Sequence, residues 1–398
     1  MAASKAETLL RKPGQPPGVS YLELFFDLVF VFALTQLSQW LLEDITSRWQ
    51  IVKAAQALLL LLALLMLWFV VAWVTDVYDP QQPEVQLVVA GAMFGILVMA
   101  VALPEAFGSR GLVFAGAYVA IHLGRGLVLV PALRGHKAQR RSAGGMLWFA
   151  VSAVPWIVGA TAAGGSARAA WWALAIAIEY TGAMLFFPAP WFRRPTATGW
   201  PVVPEHFGER YRQFVTIAIA ELIAVTGVAG GMHLTSRTTV AAFFVSFTTT
   251  VLLWRTYLYQ AASLLPAAIA AATTPARLVR RALLTHVIMV AGILATDAGF
   301  QLVIGRPLGH TSPGWVGVII GGPVLYLAGR VLFGHTIYGR VSHSRAIGAL
   351  LLAGVSPAMV LLPPLAVAIT PTLVLAGIVI SDAVLARGRP RKPPSPPS

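Results

Sequence analysis

Apolar residues are gathered into long runs along the chain, and short polar stretches separate one run from the next. A hydrocarbon core about 30 Å thick needs about 20 apolar residues per helix. Twelve segments meet that length to within a few residues: 21–42, 54–76, 85–104, 112–132, 144–163, 169–188, 211–232, 239–261, 282–304, 314–335, 346–363 and 365–386. Residues 346–381 carry no charge and are too long for one span, so Pro363-Pro364 is expected to turn the chain there. The pattern predicts an all-α fold, a polytopic membrane helix bundle of about twelve spans.

Composition narrows this further. Hydrophobic residues make up 57% of 398 and charged residues 11%, less than half of the roughly 25% usual for a soluble domain. An ordinary globular enzyme is excluded. The first eighteen residues are polar, and the following run is too long and too acidic for a cleaved signal peptide. It is expected to remain as the first span. With no cysteine, disulfides, thiolate metal sites and cysteine nucleophiles are ruled out.

The formal charge of +14 would suit nucleic acid if Lys and Arg clustered on one folded face with aromatics between them. Here they sit in short loops. Twenty of the 29 fall on one side of the twelve-span arrangement, from Lys5, Arg11 and Lys12 through Arg193, Arg194, Arg210 and Arg212 to Lys392. Six fall on the other side, namely Arg48, Lys53, Arg110, Arg168, Arg237 and Arg306, and three lie inside spans. The richer side is cytoplasmic by the positive-inside rule. Both termini are therefore expected in the cytoplasm, with lipids and not nucleic acid as partners. The basic, Pro-rich tail 387–398 suits anionic headgroups.

A second half begins about 186 residues after the first: Glu23 falls on Glu209, Phe25 on Tyr211 and Trp68 on Trp254. With small shifts, Glu105-Ala-Phe107 resembles Asp297-Ala-Gly-Phe300, and Leu123-Gly-Arg125 resembles Ala328-Gly-Arg330. The expected organisation is an N-terminal tail 1–20, a six-span repeat 21–188, a Pro-rich linker 189–208, a second repeat 209–386 and the tail 387–398. Six spans per half make the repeats parallel, an arrangement that commonly encloses a site between halves. Glycine pairs one turn apart, Gly91/Gly95, Gly227/Gly231 and Gly317/Gly321, are expected to serve close helix packing.

Charges inside the spans are the candidate chemistry. Each costs roughly 2.5–3.5 kcal/mol near the bilayer centre unless paired or hydrated. Beyond the interfacial Glu23 they are Asp27, Arg125, Glu179, Glu221, Arg255, Asp297 and Arg330. At about 1.5 Å per residue, Asp27, Arg125, Arg255 and Arg330 share one level roughly 9–12 Å from the cytoplasmic boundary. Glu179 and Glu221 lie a turn deeper, and Asp297 and Glu105 lie towards the outer face. Two readings stay open: ion pairs that lock helix register, with Asp27 opposite Arg125, or a polar pathway. In the second, Glu221 and Glu179 hold a small cation or proton and the arginines act as counter-charges. The eight histidines show no helical pair at metal-ligand spacing. No Walker loop or G-x-S-x-G elbow is present, so neither cofactor nor catalytic residue is assigned.

The acidic, Phe-rich run Glu23-Leu-Phe-Phe-Asp27-Leu-Val-Phe-Val-Phe-Ala33 resembles the opening helix of the bacterial low-temperature-requirement A family. The resemblance continues through Trp68 to Asp79, Pro104-Glu-Ala-Phe-Gly108, Phe114-Ala-Gly-Ala-Tyr118 with Arg125, Glu209-Arg-Tyr211 and Gly321-Gly-Pro-Val-Leu-Tyr-Leu327. It implies a polytopic bacterial inner-membrane protein. Members carry Gly-Glu in the seventh span where this chain has Ala220-Glu221. Phe26-Asp27-Leu-Val-Phe30 also resembles the Phe-Ser-Asp helix of lysosomal-type potassium channels, a likeness of architecture only. An ion or small-solute transporter or channel is the leading expectation, with a membrane scaffold or lipid-modifying enzyme as the alternative. No sequence feature sets an oligomeric state.

Overall fold

A computed structural model describes residues 5–12, 18–43, 50–162, 164–189, 201–233, 236–258 and 261–386. Most of the expected linker and the whole C-terminal tail lie outside the described residues. The elements in chain order are α1 (Lys5–Leu9), α2 (Tyr21–Glu43), α3 (Gln50–Val77), α4 (Pro83–Ala102), α5 (Gly111–Ala132), α6 (Lys137–Ala162), α7 (Gly165–Met184) and α8 (Pro204–His233). They continue with α9 (Arg237–Leu258), α10 (Ala261–Ala271), α11 (Pro275–Gly305), α12 (Pro313–Ile319), α13 (Gly321–Tyr338), α14 (His343–Val355) and α15 (Pro364–Ala386). Short 3₁₀ turns, Leu103–Glu105 and Ser356–Leu361, extend α4 and α14.

A helix covers each of the twelve expected spans, and the tenth is built from α12 and α13 in succession. Eleven are long and apolar enough to cross a membrane. The twelfth, α7, has the length at 20 residues but carries Arg168 and Glu179 within it. Helix α10 has no counterpart among the expected spans. The fold is a multi-pass helical membrane bundle, and its apolar outer residues, such as Phe25, Leu28, Leu87 and Phe94, are exposed for contact with lipid.

Local chemistry explains where the helices start. Five of them, α4, α8, α11, α12 and α15, begin with proline, whose fixed φ suits the first turn and whose missing N–H would be unpaired there in any case. Helix α2 begins with a capping box. The Ser20 amide and hydroxyl both donate to Glu23 Oε2 at 2.8 Å, and the Glu23 amide donates back to Ser20 Oγ at 3.4 Å.

The chain divides into two compact units. Unit 1 comprises Met1–Leu37, Ala55–Arg210 and Thr274–Arg280; unit 2 comprises Ser38–Ala54, Tyr211–Thr273 and Arg281–Ser398. In unit 1, α4, α5, α6 and α7 pack in sequence. The segment after α1 runs back along the end of α3, with Arg11 N donating to Val77 O and Asp79 N to Leu9 O. This pairs backbone groups that the helix end leaves open. In unit 2, α9 packs on α15 and α14 lies against both α13 and α15.

Glycines admit the closest crossings, but mostly not the pairs singled out by spacing. Gly95 does lie against Ile121 of α5, while a side chain at Gly91, Gly227, Gly231, Gly317 or Gly321 would meet nothing within 4 Å. The tight approach in unit 2 is between α11 and α13, where a Cβ at Gly292 would collide with the Tyr326 backbone and one at Gly322 with Thr296.

Candidate functional site: interior charges of the two units

Unit 1 holds a closed network of acids and bases. On α2, Glu23 and Asp27 are one turn apart and point to the same buried face as Phe30 and Leu34. Asp27 receives both arms of the Arg210 guanidinium, Nη1 to Oδ2 at 2.8 Å and Nη2 to Oδ1 at 3.0 Å, and the Trp68 indole N–H at 3.0 Å. Such a two-pronged charged pair is the strongest ordinary side-chain contact. Arg210 Nε lies 3.6 Å from Glu23 Oε1. His206, one turn before Arg210 on α8, has Nε2 2.8 Å from Glu23 Oε1 and Nδ1 2.9 Å from Asp76 Oδ1. The other oxygen of Asp76 accepts the Val203 amide at 3.1 Å.

A neutral imidazole has one donor and one acceptor, so a ring between two carboxylates is doubly protonated or one acid holds the shared proton. All five ionisable groups of this network are almost completely buried. Each finds a partner of opposite charge, which is what a low-dielectric site demands.

Glu179 of α7 is satisfied in a different way. Its carboxylate accepts the Tyr118 hydroxyl, Ser152 Oγ at 2.8 Å and Trp156 Nε1 at 2.9 Å. Two of these donors, Tyr118 and Trp156, belong to an aromatic cluster with Phe114 and Trp172. Arg168, at the opposite end of α7, donates to the carbonyls of Gly159, Ala160, Ala106 and Gly108, thereby tying α7 to the end of α6 and to the turn after α4. Arg125 lies over the Phe149 ring at 5.2 Å and pairs with none of these acids. Glu105 is exposed in the 3₁₀ turn and not in the interior.

In unit 2, Asp297 of α11 is buried, and neither of its carboxylate oxygens has a partner in hydrogen-bond geometry among the described residues. Its polar neighbours are the Ser38 hydroxyl and the Glu221 carboxylate of α8, which is also buried. One turn along α11 from Asp297, the amide nitrogen of Gln301 is buried and likewise unpaired. Arg330 of α13 donates to the Thr256 carbonyl at 3.3 Å and lies over the rings of Tyr257 and Phe333. Tyr257 in turn donates to Tyr211 O at 3.1 Å. Arg255 is only partly buried.

The description of bacterial low temperature requirement A protein (LtrA) matches residues 18–380. The chain belongs to this family. It is 33% identical over 339 residues to an uncharacterized protein of Rhizobium meliloti (strain 1021), covering 83% of this chain and 80% of that one. No solved structure matches it.

Two of the nine charged positions expected from the sequence, Glu23 and Asp27, meet in the unit 1 network, and two others, Glu221 and Asp297, are neighbours in unit 2. The expected opposition of Asp27 and Arg125 is replaced by Asp27 with Arg210. The reason is where α8 begins: Pro204 starts it seven residues before the expected span at 211, so His206 and Arg210, which lie ahead of that span in the sequence, are buried helix residues. Asp76, the last residue of an expected span, is likewise buried in the network. Residues matched by the 186-residue offset occupy unlike surroundings, since Trp68 is fully buried and Trp254 is 40% exposed.

Proposed function

We propose that this LtrA-family chain is an ion or small-solute transport protein in which Asp297 and Glu221 take up a proton or small cation. The observation that carries this reading is the Asp297 carboxylate, buried within a membrane span, with neither oxygen in hydrogen-bond geometry to a described residue, and with the Ser38 hydroxyl and a second acid beside it. A buried carboxylate is costly unless it is paired, hydrogen-bonded or neutralised, and a proton or cation supplies what the described residues do not. Ionisable groups of this kind inside membrane spans mark ion and proton pathways. Gln301, one turn away, adds an amide oxygen suited to a hard cation. Arg255 and Arg330 are the counter-charges of the same unit, and Glu179 is a second proton-holding candidate. The concentration of Lys and Arg on one side supports the inner membrane with both termini cytoplasmic.

The test is flux through proteoliposomes under potassium, sodium and proton gradients. Wild type should conduct at least one of these, and Asp297→Asn and Glu221→Gln should each abolish that flux while the thermal melt shows a folded protein. Absence of flux from wild type under all three gradients, or full flux from both variants, overturns the proposal.

A further inference from the structure

A cavity in unit 1 has the composition of an anion site, and it is separate from the acids discussed above. It measures about 50 Å³, room for a few waters or one tetrahedral anion at about 10–15 Å³ per water centre. Arg125, Arg141, Ser142 and Tyr78 supply its polar lining, while Trp73 and Phe187 are among its apolar walls. No carboxylate lines it among the described residues.

Arg125 is the decisive residue. It lies within α5, about 10 Å from that helix's C-terminal end at 1.5 Å per residue. Among the described residues it has neither an ion pair nor a hydrogen bond, and its Nε is buried without a partner. It lies over the face of Phe149, which attracts the cation but does not neutralise it. The interior acids of unit 1 are already engaged: Asp27 with Arg210, Glu23 and Asp76 with His206, Glu179 with three neutral donors, and Asp79, which does not line the cavity, with the Gln81 amide and the Gln82 side chain. An arginine at this depth calls for an anion, and the described residues do not provide one.

The surroundings are held in place for such a partner. Tyr78 Oη and Ser142 Oγ are 2.9 Å apart, so one donates to the other and the pair retains a hydroxyl for a ligand. Burial pushes the Tyr78 phenol above its ordinary pKa, against the pull of Ser142, Arg141 and Arg125, so it stays a donor. The wall beside them is built from strained backbone. Phe186 and Phe187 both have left-handed φ, 64° and 49°, a conformation that L side chains adopt only where their surroundings impose it. Arg280 imposes it by donating to the Ala183 and Met184 carbonyls and stacking 3.3 Å from the Phe186 ring centroid. Gly144 leaves the space that the Phe187 carbonyl fills. The cavity lies where α3 and α5 end and α6 begins, on the side that the Lys and Arg pattern assigns to the cytoplasm, where a bilayer presents anionic headgroups.

We propose that this cavity binds a phosphate-bearing anion, held by the Arg125 and Arg141 guanidinium groups and by the Tyr78–Ser142 hydroxyl pair. The forked donors of arginine match phosphate oxygens. The anion's source is either the headgroup of an anionic phospholipid, whose chains would follow the apolar wall, or free phosphate.

Delipidated protein in a neutral detergent would be offered phosphatidylglycerol, phosphatidylcholine or inorganic phosphate. Thermal melting and native mass spectrometry would read the result. Phosphatidylglycerol or inorganic phosphate should raise the melting temperature by several degrees and be retained, and Arg125→Gln should weaken retention at least tenfold. Gly145→Met keeps both arginines but projects a side chain toward Arg125 Nη2, 3.7 Å from the Cβ position. It should weaken binding similarly, which also covers the case of a misfolded Arg125→Gln. A response to the lipid alone assigns a headgroup site, and an equal response to inorganic phosphate assigns a free-anion site. Retention of phosphatidylcholine as strong as that of phosphatidylglycerol, no binding by wild type, or unchanged binding by both variants overturns the proposal.

Discussion

His206 Nε2 lies 2.8 Å from Glu23 Oε1, joining the first turn of α8 to the first turn of α2, while its other nitrogen holds Asp76 at the end of α3. One ring therefore clasps three helices through two buried acids. His206→Ala leaves both acids without their base, and removing one partner of a buried charged pair typically costs about 3–5 kcal/mol. The loss should appear in thermal or denaturant melts in lipid nanodiscs. Adding Glu23→Gln to His206→Ala should cost less than the sum of the two single changes, because both act on one network. Additive losses would show that the clasp is not a unit.

Asp27 gives a second, sharper test, because geometry and depth point to different arginines. The bidentate contact names Arg210, whereas shared depth in the membrane named Arg125. Asp27→Asn should lower stability by about 3 kcal/mol, and Arg210→Gln should recover part of that loss in the double variant. Arg125→Gln should recover none. Recovery by Arg125→Gln instead would reinstate the pairing by depth.

That contrast shows what the sequence discloses about such a protein and what it withholds. Spans are legible because a bilayer demands about 20 apolar residues per helix, and each of the twelve expected segments is covered by a helix. Depth along a span is legible too, at a fixed rise per residue. Partner choice is not, since it depends also on how each helix is rotated and which helices are neighbours. The start of α8 could have been found. Pro204 is a first-turn proline ahead of the apolar run, and reading it so would have moved His206 and Arg210 into the helix. The Ser20-x-x-Glu23 capping box likewise marks where α2 begins and fixes the orientation of Glu23. Nothing local to Asp297 marks the neighbours its carboxylate meets, Ser38 and Glu221, which packing alone decides.

His122 carries a prediction in the opposite direction. It is buried, stacks on Phe149 at 3.8 Å between centroids, and has no hydrogen-bond partner on either ring nitrogen among the described residues. An unpaired buried polar group costs about 1–3 kcal/mol. Phenylalanine preserves a flat ring for the stack and removes the unpaired nitrogens. His122→Phe should therefore melt at the same temperature as wild type or a few degrees higher, and a clear drop would mean that the ring nitrogens have a partner the packing does not reveal.

Topology can be tested with little disturbance, because the chain has no native cysteine to remove. Introduced cysteines need exposed positions in short connections. Lys137 and His343 are exposed at the starts of α6 and α14, and Ser109 and His310 are exposed in the connections after α4 and α11. Gly309 is the less suitable neighbour of His310, since its φ of 113° would strain any side chain placed there. Given twenty Lys and Arg on one side and six on the other, the positive-inside rule assigns 137 and 343 to the cytoplasm and 109 and 310 to the outside. A membrane-impermeant maleimide applied to intact cells should label Ser109→Cys and His310→Cys, and should reach Lys137→Cys and His343→Cys only after the membrane is opened. The demanding position is 343. It follows nine of the twelve spans plus the two-part tenth, and it follows α7, the most polar of them, so an error in any one crossing reverses it. Labelling of His343→Cys from outside, with Lys137→Cys still protected, would locate that error between α6 and α14, with α7 the first helix to re-examine.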